Sequence, residues 1–439
     1  MIQDKSRYYF WLKGYVGFMF KLSYRKVEYH GREKIPKDGA IIFAPNHSNT
    51  LIDPLAVLPI DKQAKVFVAR ADIFKQPTIL KILTFLKMLP INRMRDGMDS
   101  LAKNEEINDT VVKVLHDKVP FCILPEGTHR TKHSLMPLQK GIFRIALQAN
   151  DTFGNEMPVY IVPVGIEFGH FFRFRSSLLV QIGEPINVTQ FVNEHPEWTA
   201  PKQINELKEE LSDRMKDVIL QITDDENYNA TLELVQLNNK SEPSLINRFK
   251  ASKETIKKVE DLLQSNPQET QQLLNHADEF SRQRHNAGIG MESILSSNIQ
   301  WSLISKLSLL LLGLPYFIFS AVVTSPVTLL SIWIGSKFKD KAFLNSLRLV
   351  VALVLLPILL LLLVPIVTAV FSWEWGIVFA LLFIPSFFFL HSYLRLVRRF
   401  ISDIKWLIHR NLLKQFKDIK KRYNYWILHS IIIKYKLEI

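Results

Sequence analysis

The chain has a single cysteine, Cys122, among its 439 residues. One cysteine cannot form a disulfide within the chain, which excludes a small secreted scaffold held together by disulfides. The start of the chain lacks a signal-peptide pattern, because residues 8–20 are apolar but contain Lys13 and lead to no small-residue cleavage site. Internal repeats and the short His or Cys spacings of a metal site are also missing. We therefore expect no disulfide, metal or resident cofactor.

Apolar residues are abundant, at 48% of the chain against 22% charged residues, which excludes a disordered polymer. Three windows near the C-terminus contain no charged residue, namely 307–336, 349–373 and 375–394. Each has the roughly 20 residues that a helix needs to cross the hydrocarbon core of a bilayer. The sequence thus predicts an integral membrane protein with a membrane region at residues 301–394.

The first window is too long for one straight crossing, since 30 residues make a helix of about 45 Å against a core of about 30 Å. Two crossings would need about 40 residues. Pro315 and Pro326 can break the helix, so we favour a re-entrant hairpin, with a single crossing as the alternative. The other two windows predict a transmembrane hairpin that turns near Trp373.

Basic residues outnumber acidic ones by 55 to 42, and the segment 393–439 alone holds twelve basic against three acidic residues. Basic residues also flank the predicted hairpin on both sides: Lys337, Lys339, Lys341 and Arg348 precede it, and Arg395, Arg398 and Arg399 follow it. The positive-inside rule places both flanks in the cytoplasm. If 307–336 re-enters, the N-terminal half lies on the cytoplasmic side too; if it crosses, that half lies outside. Anionic lipid headgroups suit this charge better than nucleic acid, which we do not expect as a partner.

Ahead of the membrane region, short β-type runs alternate with helix-like stretches, which is typical of an α/β sandwich with a largely parallel sheet. The predicted strands are 26–30, 40–44, 65–69, 121–124, 159–164 and 178–182, and the predicted helices are 54–59, 78–87, 99–116 and 138–148. The predicted organisation has five parts. Residues 1–24 form an interfacial helix or, alternatively, a buried helix of the next domain, and residues 25–193 form the α/β domain. A polar helical insert or linker follows at 194–300, then the membrane region at 301–394 and a basic tail at 395–439.

Four sequence blocks lie where an α/β sheet presents its loops and gathers its ligands, two of them directly after predicted strands. They are NHSNTLIDP at 46–54, LPINRMRD at 89–96, LPEGTHR at 124–130 and VPVGI at 162–166. His47 and Asp53 lie about 240° apart on a helix, so only a turn can bring them together. A carboxylate on one imidazole nitrogen would fix the tautomer and make the other a base for an alcohol. The alternative is that Asp53 only caps a helix and His47 is a turn histidine.

Together the four blocks resemble the glycerol-3-phosphate and lysophosphatidate acyltransferase family, whose pattern runs NHx4D, IPVxR, FPEGTR and VPVxI. The resemblance covers about residues 25–190. Two departures stand out: five residues rather than four separate His47 from Asp53, and His129 stands where the family commonly has Arg or Ser. The wider spacing, the Asp-Pro pair and the hydrophobic C-terminal helices are closer to the branch of glycerol-3-phosphate or dihydroxyacetone-phosphate acyltransferases found in yeast-like lineages and their bacterial relatives.

The resemblance implies a membrane-bound O-acyltransferase of phospholipid biosynthesis. It would move a fatty acyl group from an acyl thioester, carried by coenzyme A or a carrier protein, to glycerol-3-phosphate or dihydroxyacetone phosphate. Its implied partners are membrane lipids, the acyl thioester donor and the phosphorylated glycerol acceptor. Two alternatives stay open: acylation of lysophosphatidate or another lysolipid, and a non-enzymatic membrane scaffold that keeps an acyltransferase-like domain.

The resemblance also implies roles for individual residues. The implied catalytic residues are His47 as general base and Asp53 as its orienting partner. The implied acceptor and phosphate ligands are Arg93, Glu126 and Gly127, assisted by Arg95 or Lys140. Asn46 would support the turn or the oxyanion, and Pro163 would be structural. Cys122 lies inside a predicted strand with no base beside it, which predicts a buried, inert thiol rather than a nucleophile.

Overall fold

A computed structural model describes residues 2–4, 6–92, 99–238, 244–409 and 411–423. The chain forms two compact units, one made of Met1–Ile219 with Leu330–Val354 and the other of Leu220–Leu329 with Leu355–Ile439. The first unit contains the sheet, and the second is helical throughout its described part. The predicted fold class, an α/β domain followed by helices, is confirmed.

Apolar and β-branched runs form the six predicted strands, and the sheet contains two more that were not predicted, Met88–Ile91 and Ile186–Asn187. Their bounds are β1 Lys26–His30, β2 Ala40–Pro45, β3 Val66–Arg70, β4 Met88–Ile91, β5 Phe121–Cys122, β6 Val159–Phe168, β7 Ser177–Ile182 and β8 Ile186–Asn187. The order is β1-β7-β6-β2-β5-β3-β4, and β8 pairs with β6. Strands β6, β2, β5, β3 and β4 run parallel to one another, whereas β7 is antiparallel to β6.

This parallel arrangement explains where the four blocks meet. Parallel neighbours present their carboxyl ends at one edge of the sheet. The segments that follow β2, β4 and β5 therefore emerge at the same edge, beside the end of β6.

Helices cover the sheet and close its core. Their bounds are α1 Arg7–Ser23, α2 Ile52–Val57, α3 Pro77–Phe85, α4 Asp99–His116, α5 Gly141–Phe153, α6 Val188–Glu194 and α7 Ala200–Val218. Val114 of α4, Phe143 of α5 and Leu211 of α7 are fully buried in one core with the strands.

The end of α7 packs directly on β6. A Cβ added at Gly165 would lie 1.9 Å from the carbonyl oxygen of Val218, so only glycine permits this approach. The first unit consequently extends to Ile219, beyond the domain boundary predicted at residue 193. The sequence of α7 is polar on average, and that composition concealed its buried face of Leu207, Leu211 and Met215.

The second unit begins with the polar helices α8 Tyr228–Asn238, α9 Leu245–Ser265, α10 Pro267–Ala287 and α11 Met291–Ile294. Leu234, Leu274 and Phe280 form its core together with Trp406. A buried ion pair joins Arg284 to Glu233, with both guanidinium–carboxylate distances at 2.6 Å. The side chains of the predicted polar segment therefore form a packed helical core together with residues of the C-terminal part such as Trp406.

Three helices of the described chain are long and apolar enough to cross a membrane: α12 Ile299–Val323, α14 Phe343–Val370 and α15 Trp373–Ile408. The short apolar helix α13 Ser325–Gly335 follows α12. The first predicted window is indeed broken, at Thr324 beside Pro326, while Pro315 stays inside α12. The last helix continues to Ile408, past the predicted membrane boundary at residue 394, because its charged final turns still bury Asp403 and Trp406.

Helices α12 and α15 pack against each other through aromatic side chains. The Tyr393 hydroxyl donates to the carbonyl of Leu310 at 2.8 Å, and the Tyr316 hydroxyl donates to that of Leu382 at 2.6 Å. Gly313 allows the close contact, since its added Cβ would lie 3.2 Å from the Tyr393 ring.

Candidate active site

His47 and Asp53, together called the dyad, are in contact at the carboxyl end of β2. The Nδ1 atom of His47 lies 2.7 Å from Oδ2 of Asp53. Asp53 is fully buried, whereas the His47 side chain keeps 17% of its surface exposed. The five intervening residues form an irregular turn that enters α2, so the wider spacing still closes into a pair.

The turn is built around Asp53. Its Oδ2 atom also accepts hydrogen bonds from the backbone N–H groups of Ser48 and Asn49, at 2.8 and 2.7 Å. Thr50 adopts φ +43°, which lets the chain reverse towards the helix. Within the described residues, Asp53 Oδ1 has no hydrogen-bond partner. The carboxylate therefore shapes the turn and orients the imidazole through a single oxygen.

Glu126 connects the third block, residues 124–130, to this turn. Its Oε1 accepts from the backbone N–H of His47 at 2.6 Å, and its Oε2 accepts from that of Met136 at 3.0 Å. The carbonyl of His47 accepts in turn from the backbone N–H of Arg130 at 3.1 Å. Burial raises the pKa of the Glu126 carboxyl to about 7, opposed by these backbone N–H donors.

Gly127 follows in a backbone conformation that favours glycine, with φ +66°. Its added Cβ would lie 3.0 Å from Cγ of Gln139. The backbone N–H of Gln139 donates to the carbonyl of Pro125 at 2.7 Å, which places the next residue, the exposed Lys140, at the start of α5 beside this block. Lys140 is thus close in the fold to the Glu126 turn.

Asn46 and Pro163 join β2 to β6. The Asn46 side chain accepts from the backbone N–H of Ile166 at 2.7 Å and donates to its carbonyl at 3.2 Å. It also donates to the hydroxyl of Ser48 at 3.1 Å. Pro163 is buried in register with Ala44, and its carbonyl accepts from Gly183. The contacts of Asn46 are those of turn support.

Two of the predicted phosphate ligands, Arg93 and Arg95, lie outside the described residues. Strand β4 brings the chain to Ile91 at the site edge, and Asn92 is then bound to Asn104 of α4. Where the structure describes the chain, no three His, Cys, Asp or Glu side chains gather as metal ligands would. Cys122 is fully buried in β5, and burial raises the pKa of its thiol, so the group is held protonated.

The structure adds residues that motif reasoning missed. The ring of His129 lies 5.5 Å from that of His47, centroid to centroid, and its Nε2 is 2.7 Å from Oδ2 of Asp340. The hydroxyl of Ser346 lies 2.8 Å from that of Thr50 in the dyad turn. His129 was visible as a departure from the family pattern, but no local signal marks Asp340 or Ser346.

The α/β sheet, with a His–Asp pair at its strand ends and the buried Glu126 beside it, fits the acyltransferase-type domain that the four blocks predict. Residues 26–167 match the family model described as Acyltransferase, so this part of the chain is an acyltransferase domain. The resemblance seen in the four blocks is thereby confirmed at the level of the family.

Two yeast proteins are similar to the chain in sequence. Glycerol-3-phosphate O-acyltransferase 2 of Saccharomyces cerevisiae is 31% identical over 112 residues, and glycerol-3-phosphate O-acyltransferase 1 of the same organism is 31% identical over 116 residues. These regions are 25% and 26% of this chain and 15% of each yeast protein, so most of the relatives' length has no counterpart in the alignment. Among solved structures, the LPA acyltransferase PlsC from Thermotoga maritima matches with a TM-score of 0.34 and 20% identity, over 47% of this chain and 76% of that one.

Proposed function

We propose that this protein is a membrane-bound acyltransferase that transfers a fatty acyl group from an acyl thioester to the hydroxyl of glycerol-3-phosphate, or of dihydroxyacetone phosphate. The observation that carries the proposal is the 2.7 Å contact between His47 Nδ1 and the buried Asp53 carboxylate at the strand ends of an acyltransferase domain.

The geometry suits direct transfer. Because Asp53 occupies Nδ1, the Nε2 atom of His47 is the nitrogen that takes the proton of the acceptor hydroxyl as its oxygen attacks the thioester carbonyl. The carbon–sulfur bond then breaks, and the departing thiolate takes the proton back from the imidazolium. Asp53 stabilises the imidazolium in between. No acyl-enzyme forms on this route, and the buried Cys122 takes no part.

The proposed acceptor is inferred from the names of the relatives and from the basic residues of the sequence blocks. The yeast proteins that match the domain are named glycerol-3-phosphate O-acyltransferases. We assign the acceptor's phosphate to Arg93, with Arg95 or Lys140 assisting, because guanidinium groups bind phosphate in a bidentate manner. Each oxygen of the Glu126 carboxylate already accepts a hydrogen bond from a backbone N–H group, one from His47 and the other from Met136. An acceptor hydroxyl that binds Glu126 would therefore share the lone pairs of these oxygens.

Membrane association is supported by two features of the described chain. Helices α12, α14 and α15 are long and apolar enough to span a bilayer. In the first unit, Tyr8 and Trp11 of α1 are each 82% exposed, and α3 exposes Ile82 and Phe85. Exposed apolar side chains of this kind suit a bilayer surface, from which an aliphatic donor and a lipid product can be exchanged. The basic flanks of the predicted hairpin support a cytoplasmic domain if residues 307–336 re-enter rather than cross the membrane, and acyl thioesters are made on that side.

The direct test supplies purified protein with a radiolabelled acyl thioester and three acceptors in parallel: glycerol-3-phosphate, dihydroxyacetone phosphate and lysophosphatidate. We expect label in one of the first two products and a loss of about 10²- to 10⁴-fold in His47→Ala. His195→Ala is a matched control, because its ring stacks on Trp198 at 3.7 Å near α6 and has no contact with the dyad. Label only in the lysophosphatidate product would establish the lysolipid alternative, and equal activity of His47→Ala would support the scaffold alternative.

A second experiment tests the topology. Reporter groups attached at the N-terminus and at Trp373 should report the cytoplasmic and the opposite side, respectively. An external N-terminus would contradict a cytoplasmic supply of acyl thioester.

A further inference from the structure

A second imidazole lies beside the dyad. The His129 and His47 rings are 5.5 Å apart, and the His129 side chain is 23% exposed, so it is partly accessible beside His47. Its Nε2 atom lies 2.7 Å from Oδ2 of Asp340. His129 is therefore held by a carboxylate, as His47 is, but from a different part of the chain.

The carboxylate of Asp340 is fixed in its own right. Its Oδ1 atom accepts from the backbone N–H of Ala342 at 2.8 Å. This hydrogen bond first, and that from His129 second, lower the pKa of Asp340 below its ordinary value. An ionised carboxylate can only accept hydrogen bonds, so the proton between the two groups belongs to Nε2 of His129.

Further contacts hold the segment around Asp340 against His129 and the dyad turn. The Thr50 hydroxyl bonds to Ser346 at 2.8 Å and to the carbonyl of Ala342 at 3.4 Å. The Phe343 ring meets His129 edge-on at 5.7 Å. All of these residues belong to the first unit, so the segment from Asp340 to Ser346 is built into the acyltransferase domain although it follows residue 330.

With its proton on Nε2, a neutral His129 presents Nδ1 as a hydrogen-bond acceptor. Two basic imidazole nitrogens on adjacent rings suit hydroxyl groups on neighbouring carbons. Glycerol-3-phosphate carries a hydroxyl next to the one that would be acylated, and dihydroxyacetone phosphate carries a carbonyl there. A carbonyl has no proton to donate to Nδ1.

We propose that His129 is a specificity-determining residue that selects glycerol-3-phosphate over dihydroxyacetone phosphate by accepting a hydrogen bond from the hydroxyl next to the acylated one, and that Asp340 is the positioning residue that fixes its tautomer. This inference rests on the proposed function and narrows its acceptor to one of the two candidates. It adds a residue of the C-terminal half to the substrate site.

The decisive variant is Asp340→Asn. Its amide oxygen keeps the bond to the N–H of Ala342, so its amide N–H₂ faces Nε2 of His129 and moves the ring proton to Nδ1. Nδ1–H can then donate to a hydroxyl oxygen or to a carbonyl oxygen, so the variant no longer prefers the hydroxyl and dihydroxyacetone phosphate gains a hydrogen bond. We expect the KM for dihydroxyacetone phosphate to fall about 5- to 10-fold, the size of one hydrogen bond, with kcat for both acceptors within 3-fold and the KM for glycerol-3-phosphate within 2-fold.

The full-length protein in nanodiscs is assayed with both acceptors as wild type, Asp340→Asn, His129→Ala and the double variant. The acceptor ratio is kcat/KM for glycerol-3-phosphate divided by kcat/KM for dihydroxyacetone phosphate. His129→Ala should lower this ratio about as much as Asp340→Asn does. The double variant should have the same ratio as His129→Ala, because Asp340 acts only through His129. Asp213→Asn is the matched control, since this exposed carboxylate pairs with Lys216 on α7 and should leave the ratio unchanged.

The outcomes separate the two proposals. A wild type that acylates neither acceptor overturns the proposed function and this inference with it. An active wild type whose acceptor ratio is the same in Asp340→Asn overturns the inference alone, as does an equal effect of Asp340→Asn in the His129→Ala background. If Asp340→Asn does not fold, an unchanged ratio in folded His129→Ala is sufficient to reject it.

Discussion

Replacing Asp53 by Asn tests the dyad with the smallest change in shape. Asp53 Oδ2 accepts from His47 Nδ1 and from the backbone N–H groups of Ser48 and Asn49, all within 2.8 Å. An asparagine can keep all three bonds only by placing its amide oxygen at the Oδ2 position. Its N–H₂ group then takes the place of Oδ1, where the described residues offer no partner.

The structure gives separate magnitudes for stability and for catalysis. A buried N–H₂ group without a partner costs about 1 to 3 kcal/mol of unfolding free energy. The turn keeps its shape, so substrates should still bind, and the KM of the acceptor should change less than 3-fold. The neutral amide no longer stabilises the imidazolium that forms during proton transfer. We expect kcat to fall by about 10²- to 10⁴-fold, the usual range of general-base assistance.

The assay is steady-state transfer from a radiolabelled acyl thioester, with thermal unfolding of the same preparations. Asp213→Asn is again the control, because it removes an exposed carboxylate far along α7. A kcat within 3-fold of wild type in folded Asp53→Asn would refute the base mechanism. A loss of activity that follows only from unfolding would show Asp53 to be a helix cap and no more.

Three further predictions concern the surroundings of the dyad. Gly127→Ala should lower the unfolding free energy by about 1 to 2 kcal/mol, because φ is +66° there, and Gly127→Asn should cost less; equal thermal stability of Gly127→Ala and wild type would contradict this. The pKa of the Glu126 carboxyl is raised from 4.5 to about 7 in the folded state. Its contribution to the unfolding free energy is therefore fully present below pH 4.5 and is lost as the pH rises through 7. Thermal unfolding of wild type against Glu126→Gln should therefore show wild type losing relative stability from pH 5 to 8, and a pH-independent difference would contradict the burial of this carboxyl. Cys122→Ala should keep kcat within 2-fold, whereas a loss above 10-fold would indicate a covalent role for the thiol.

Local sequence signals were sufficient for six of the eight strands of the sheet and for the geometry of the dyad. Each predicted strand is a short apolar run of the kind that only a buried strand or a helix core contains, and the intervening turn residues exclude a long helix. His47 and Asp53 were predicted to meet through a turn, because Asp53-Pro54 is typical of a helix start and leaves His47 in the turn before it. In the structure, Nδ1 of His47 lies 2.7 Å from Oδ2 of Asp53. The geometry of this pair is encoded within seven consecutive residues, from His47 to Asp53.

Predictions based on composition or charge averaged over a window of residues were less accurate. Helix α7 is polar overall, so its three buried residues did not reveal that it belongs to the α/β unit. Similarly, charge-free windows predicted the last membrane helix to end at residue 394, although α15 continues to Ile408. Buried charged and polar groups near its end, such as Asp403 with Ser293 and Ser302, are satisfied by partners distant in sequence.

The contribution of the C-terminal half to the site was beyond any local signal. Asp340 lies 211 residues from His129, and Ser346 lies 296 residues from Thr50. Contacts of this separation depend on how the whole chain packs, and neither residue has a distinctive neighbour in sequence. Yet they bond to the turn that holds the dyad and to the imidazole beside it. The acyltransferase domain of this protein therefore cannot be separated at the end of its family match at residue 167, because α7 supports β6 and the segment around Asp340 completes the surroundings of His47.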